Sequence, residues 1–338
     1  MSRTCPEILE RKAGMELFDR KLLIVTGKGG VGKTSIASAL GLLAARRGKR
    51  VLIVETGAQE KVAQLFDRPA VGHAEQRVAD NLYAFNLDPK TSFESFLILK
   101  VAPVRYLVQK FLNTNVIQYF MEAAPGWREL ITLGHIWFFL EEKIDPATGR
   151  HPYDLVIFDA PASGHVRSML RVPEVVTEAA KSGPLYNYSK TVAEFLSDPE
   201  KTNLLIVTIP EEMPVNETIE LFQATEANLR IEIGPIFANL VPPRIFTPEE
   251  LRAFMTLDEG GSLHDLLKEI VGEDAYVRSL VTSIESSVRR RRISEGYLDQ
   301  LKRAIDRNRL IEIPQIFTQP FKAEALGQIA EIIEPQLR

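Results

Sequence analysis

Ten residues restrict this 338-residue chain more than any others: Thr26-Gly-Lys-Gly-Gly-Val-Gly-Lys-Thr-Ser35, placed directly behind the apolar run Leu22–Val25. The stretch has the form G-x-x-x-x-G-K-[ST], with Gly27, Gly32, Lys33 and Thr34 at its fixed positions. Glycines let a backbone curl until successive N–H groups point inward, and a helix opening at the end of such a curl adds the positive end of its dipole. Together they make a seat for phosphate oxygens. The backbone of Gly27, Lys28, Gly29, Gly30, Val31, Gly32 and Ser35 would line that seat. Lys33 would reach the β- and γ-phosphates, and the Thr34 hydroxyl would meet Mg²⁺. ATP or ADP with Mg²⁺ is the expected ligand.

The rest of the chain supplies the frame that such a loop requires. Short β-branched runs predict strands at Leu22–Thr26, Arg50–Glu55, Leu82–Leu87, Asp154–Asp159, Leu204–Ile209, Pro235–Leu240 and Leu310–Ile313. Most are apolar on both faces, as parallel strands covered by helices must be. "KTSIASALGLLAARRGKR" reads as a helix with a basic last turn, stopped by Gly48. The expected fold is α/β, a doubly wound and mostly parallel sheet in one domain over 1–338. Two strandless stretches, about 91–150 and 247–309, read as inserted helices forming a subdomain.

Composition removes several alternatives. The net charge of −4 argues against a nucleic-acid binder. One cysteine, Cys5, excludes an internal disulfide, a CxxC zinc site and a four-cysteine iron–sulfur cluster. The amino terminus lacks the apolar core of a signal peptide, and no run of about 18 apolar residues reads as a membrane span. A reduced, cytoplasmic setting is the expectation.

A nucleotide site of this kind needs a carboxylate on a neighbouring strand to hold the metal. "YDLVIFDAPASGH" ends an apolar strand on Asp159 and continues into a loop with Pro161 and Gly164, the kind of segment that moves with nucleotide state.

The early lysine in K-G-G-V-G-K-T resembles the deviant Walker A motif of the P-loop ATPases that include MinD, ParA, the nitrogenase iron protein and the arsenite-pump and tail-anchored-protein-targeting (GET) ATPases. That resemblance implies that Lys28 reaches the nucleotide of a partner subunit across a dimer, as arginine fingers do. Within the group the chain is most similar to the arsenite-pump/GET branch. "FDAPASGHVRSMLRVP" resembles its F-D-T-A-P-T-G-H-T-L-R element, "APGWREL" its P-G-x-x-E, and Glu217-Thr218 its E-T pair. "FANLVP" resembles the segment whose asparagine reads adenine, implying Asn239; "IEIPQIF" resembles the loop closing over the base, implying Pro314; "RRRRISEGYLDQL" resembles the basic helix before Y-L.

The departures are as informative. Ile284 and Ser287 stand where the GET factors carry a zinc-clamping CxxC pair, and arsenite-binding cysteines are absent. After the second strand the family's switch aspartate and proline are replaced by Gly57 and Ala58 in "VETGAQEKVAQLFD". Glu55, the nearest carboxylate, either orders the attacking water or a magnesium ligand, or only hydrogen-bonds the phosphate loop; the sequence leaves both open. The same stretch looks like the paired ATPases of actinobacteria and some other bacteria, so the implied partner is a second copy or a paralogous chain.

Phe93, Phe96, Leu97, Leu107, Phe111, Phe120, Trp137, Phe138 and Phe139 in the first insertion are either a groove for a hydrophobic client helix or a core face. Arg289–Arg292 reads as a solvated helix face, the alternatives being a nucleotide contact across the dimer, with Arg290 the candidate by alignment, or an acidic partner. The acidic amphipathic end, "AEALGQIAEIIEPQLR", is expected to pack on the sheet.

Overall fold

The computed structural model describes residues 16–57, 60–70, 72, 74–88, 126–259, 262–305 and 309–337. Its centre is one eight-stranded sheet: β1 (Leu22–Gly27), β2 (Val51–Glu55), β3 (Gln76–Ala79), β4 (Leu82–Asn86), β5 (Leu155–Ala162), β6 (Thr202–Thr208), β7 (Ile233–Val241) and β8 (Leu310–Pro314). In space they run β3-β4-β2-β5-β1-β6-β7-β8. Every neighbouring pair is parallel but β3 and β4. All seven strands expected from sequence are present. The antiparallel edge strand β3 was not foreseen: Gln76-Arg77-Val78-Ala79 has one buried apolar residue and takes its place from backbone pairing with β4.

β1, β2 and β6 are buried at every residue because helices cover both faces. Side chains alternate across a strand, so neighbours divide between two cores. Leu23, Val25, Ile53 and Ile157 face α1 (Lys33–Arg46), α2 (Lys61–Leu65) and α10 (Ala323–Ile333). Leu22, Ile24, Leu52, Val54 and Phe158 face the other layer. That layer contains α3 (Trp127–Glu141), α4 (Ser163–Ala180), α5 (Pro184–Ser197) and α6 (Glu212–Asn228). The end of the chain packs as its amphipathic pattern demands, α10 burying Leu326, Ile329 and Ile333 in the core shared with α1.

The second strandless stretch holds α7 (Pro248–Glu259), α8 (Ser262–Val271) and the 31-residue α9 (Asp274–Ala304). Of the first stretch, α3 and the turn after it are described. Phe93, Phe96, Leu97, Leu107, Phe111 and Phe120 lie outside the described residues. Phe139 is a core residue packed edge-on to Phe85, while Trp137 packs partly buried at the margin of that core. None of the helices among the described residues is long and apolar enough to cross a membrane.

Candidate functional site

Parallel pairing lines up the two candidate carboxylates. Asp159 on β5 is level with Val25 on β1 and with Glu55 on β2, so both acids sit beside the point where β1 turns into the glycine loop. The loop is fixed by close backbone approaches. Gly27 has φ +150°, and a Cβ there would lie 2.0 Å from the Val207 carbonyl oxygen. Gly32 has φ +91°, and a Cβ would lie 2.4 Å from Asn239 Nδ2. Only glycine fits either position. α1 opens at Lys33 directly behind Gly32, aiming its amino terminus at the loop.

Lys33 Nζ donates to the Lys28 carbonyl at 3.1 Å, bridging the loop. Burial pushes its ammonium down, opposed by the nearby Asp159 charge. Thr34 Oγ1 donates to Asp159 Oδ2 at 2.6 Å. Burial pushes the Asp159 carboxyl up, while the Thr34 hydrogen bond and Lys33 pull it down. Its other oxygen, Oδ1, is buried with no hydrogen-bond partner among the described residues. Buried carboxylate oxygens are seldom left so, and an unpartnered one beside a hydroxyl suits a hard cation.

Lys28 Nζ pairs with Glu217 Oε1 of α6 at 2.6 Å, and Ser163 Oγ donates to Glu217 Oε2 at 3.0 Å. The lysine hydrogen bond holds the Glu217 carboxyl below its ordinary value. One carboxylate thus ties the loop's first lysine to the start of α4. Thr26 Oγ1 makes a second tie across the strands, donating to the Pro161 carbonyl at 3.0 Å.

Glu55 is 4% exposed. Its carboxylate accepts the backbone N–H of Lys61 at 2.9 Å and of Val62 at 3.3 Å, capping α2. Burial raises its pKa to about 7 against those two hydrogen bonds, and Asp159 and Glu60 push it the same way. Asn239 is buried beneath the loop, donating from Nδ2 to the Val31 carbonyl at 2.9 Å. Pro314 ends β8 at the surface, paired in register with Val241. Beyond the ends of β6 and β7 opens a cavity of about 690 Å³ lined by Pro210, Arg290, Tyr297 and Phe317 and by Leu240 and Gln315, which follow Asn239 and Pro314 in the chain.

The fold therefore gathers Gly27–Ser35, Asp159, Glu55 and Asn239 at the carboxyl-terminal edge of the sheet. Three contributors were not singled out from sequence. Thr26 and Ser163 lie inside quoted motifs, yet their bonds to Pro161 and Glu217 depend on strand order. Glu129, in "APGWREL", meets His165 Nε2 at 3.2 Å and links α3 to the first turn of α4.

Comparison with known proteins agrees with this arrangement. The family model described as anion-transporting ATPase (ArsA type) matches residues 20–184, a span holding the glycine loop, Glu55 and Asp159. The ATPase BagA of Mycobacterium tuberculosis (strain ATCC 25618 / H37Rv) is 30% identical over 237 residues, 68% of each chain. An arsenical pump-driving ATPase of Acidiphilium multivorum is 30% identical over 230 residues, 63% of this chain and 37% of that one. The ATPase ASNA1 homolog 1 of Paramecium tetraurelia is 24% identical over 258 residues, covering 65% and 75%. With a glycine loop closed by Lys33 and Thr34, a β5 aspartate in contact with it and relatives of this kind, the chain belongs to the arsenite-pump/GET-type family of P-loop ATPases.

Proposed function

We propose that this chain binds ATP with Mg²⁺ in the Gly27–Ser35 loop, hydrolyses it to ADP and phosphate, and works as a dimer whose nucleotide state governs binding of a client protein. The observation that carries the reading is the Thr34–Asp159 contact with its unpartnered Asp159 Oδ1. Those two side chains would hold Mg²⁺, with phosphate and water filling the other positions, as that cation prefers. Bound there, the ion would neutralise charge on the phosphoryl oxygens.

The chain's own groups account for the remaining requirements. Loop N–H groups and the α1 amino terminus orient the phosphates. Lys33 leaves the Lys28 carbonyl for the β- and γ-oxygens. Lys28 leaves Glu217 to reach the partner's nucleotide, so closing the dimer exchanges an ion pair within one chain for contacts between two. Asn239 and Pro314, flanking the cavity beyond β7, accept the base. The partner is a second copy or a paralogous chain, and the setting is cytoplasmic.

One observation favours a slower variant of this reading. With Gly57 in the usual aspartate's place, Glu55 is the nearest carboxylate for ordering water, yet Lys61 and Val62 already occupy it. A chain that binds ATP tightly and turns it over slowly, as a nucleotide-gated subunit beside a paralogue, fits that engagement.

Turnover measured across protein concentration, beside Lys28→Ala and Glu55→Gln, tests both. Turnover per chain that climbs with concentration and collapses in Lys28→Ala establishes the dimeric ATPase. Loss in Glu55→Gln as well gives Glu55 the water. Tight ATP binding without turnover at any concentration establishes the gated subunit, and no ATP binding sinks both.

A further inference from the structure

The face of α9 that carries Arg289, Arg292, Gly296, Gln300 and Arg303 is not used by the nucleotide site. Against α6 it forms an open groove of about 630 Å³. Ile219, Ile293 and Tyr297 give it an apolar floor, and Ile293 is 52% exposed. Gly296 stands midway, where an added Cβ would meet nothing within 4 Å. Arg292 and Arg303 stand at its two ends, eleven residues and hence about 16 Å apart along the helix.

Elsewhere on this helix most cations have partners, and Arg290 lines the cavity beyond β7 instead. Arg291 binds Glu295 and the Pro242 carbonyl, and Lys302 binds Glu312. Arg289 and Arg292 make no ion pair among the described residues, and Arg303 meets only the Asp299 carbonyl of its own helix. Unpaired guanidiniums at both ends of an apolar trough are an unusual local charge on a chain whose net charge is −4.

We propose that this groove docks an extended acidic peptide segment of a partner protein. Two carboxylates would be spaced to reach Arg292 and Arg303, with apolar residues between them lying on Ile219, Ile293 and Tyr297. An extended chain rises about 3.3 Å per residue and returns to the same face every second residue, so acids six positions apart, about 20 Å, meet both arginines within the reach of their flexible side chains. Guanidinium forks favour carboxylates through bidentate pairing, and the apolar floor between them has no use for a phosphodiester backbone. The site is separate from the loop at Gly27–Ser35, although Tyr297 and Ile293 also line the cavity beside it. Docking there is thus positioned to sense nucleotide state.

The probe is a fluorescein-labelled peptide with two glutamates six positions apart around a Leu-Ile-Leu-Val-Leu centre, read by fluorescence anisotropy on the full chain. Two controls accompany it, one with lysines for the glutamates and one with serines for the apolar centre. Saturable binding of the first peptide only is expected, weakened roughly tenfold or more by Arg292→Glu with Arg303→Glu. Gly296→Leu, which fills the trough and adds a better helix former, should weaken binding comparably without touching charge. ATP affinity should stay unchanged in both variants, which separates failure here from failure of the ATPase reading. Equal binding of all three peptides, or indifference to the charge reversal and to Gly296→Leu, overturns the proposal. So does preferential binding of a DNA duplex or anionic vesicles at the same arginines, or a shift of the chain's own oligomeric state on charge reversal.

Discussion

The two ends of the sheet use polar residues in opposite ways. At the carboxyl-terminal edge, the buried Glu55 and the half-buried Asp159 stand level on adjacent strands, and Asp159 Oδ1 has no partner among the described residues. Near the amino-terminal starts of β2, β4 and β5, polar side chains are mostly tied to one another, although Arg50 Nε has no hydrogen-bond partner among the described residues. Glu75 there receives both the Lys143 ammonium and the Tyr153 hydroxyl, and the Arg50 guanidinium lies over the rings of Tyr83 and Tyr153. His135 stacks on Phe139 beside them. The first end is the one proposed to receive a ligand; at the second the polar side chains chiefly meet one another. Residues at the first should therefore trade stability for function, while those at the second should affect stability alone.

Asp159→Asn offers the strongest way to break that contrast. Turnover should fall about a thousandfold, some 4 kcal/mol of barrier, while the melting temperature holds or rises because a buried, raised carboxyl becomes neutral. A loss of both turnover and melting temperature would erase the distinction. Glu75→Ala is the counterpart: it strands Lys143 and Tyr153, and urea unfolding should show a loss of about 1–3 kcal/mol with ATP affinity unchanged. Gly32→Ala sharpens the first end further. The left-handed backbone and the 2.4 Å approach to Asn239 Nδ2 should together cost about 1–3 kcal/mol and weaken nucleotide binding, seen by calorimetry with ATP.

The smallest effects concern pH, and their signs oppose. Glu55 has its pKa raised from 4.5 to about 7. Its contribution to stability is therefore complete below pH 4.5 and lost as pH rises through 7. His135 has its pKa lowered from 6.5 to about 4, chiefly by burial and then by Lys143. Its contribution is complete above pH 6.5 and lost as pH falls through 4. Melting curves from pH 4 to 8 should flatten on the alkaline side in Glu55→Gln and on the acid side in His135→Phe. Curves of the two variants parallel to the parent's would show that neither group titrates in its window.

How much of this was legible beforehand follows from the range of each interaction. The glycine loop is local, so its residues, its strand and its helix could be read from ten letters. Asp159 could be read because an apolar strand ends on it. β1, β2 and β6, buried at every residue, announce themselves through apolar runs, whereas β3 does not, its pairing lying in the backbone. Glu217 could be placed only by resemblance. Its bond to Lys28 joins residues 189 positions apart and exists because β6 lies beside β1. The capping of α2 by Glu55 was likewise invisible, since it depends on how the chain turns after Gly57.

The junction of β5 and α4 has a mechanical consequence. The strand ends at Ala162 and the helix begins at Ser163, with no intervening loop to absorb displacement. Thr26 and Thr34 fasten the strand end to the phosphate side at two points. A change there arrives in α4 as a rotation of a stiff arm, about 15 Å from Ser163 to Pro173, where the missing proline N–H makes a flexure. Ten degrees at the root swings that flexure by roughly 2.6 Å over this length. That displacement falls next to Val172, which packs against Gly126 at the start of α3. A small movement at the glycine loop, if the proposed nucleotide causes one, would thus leave this junction as a larger one among the helices.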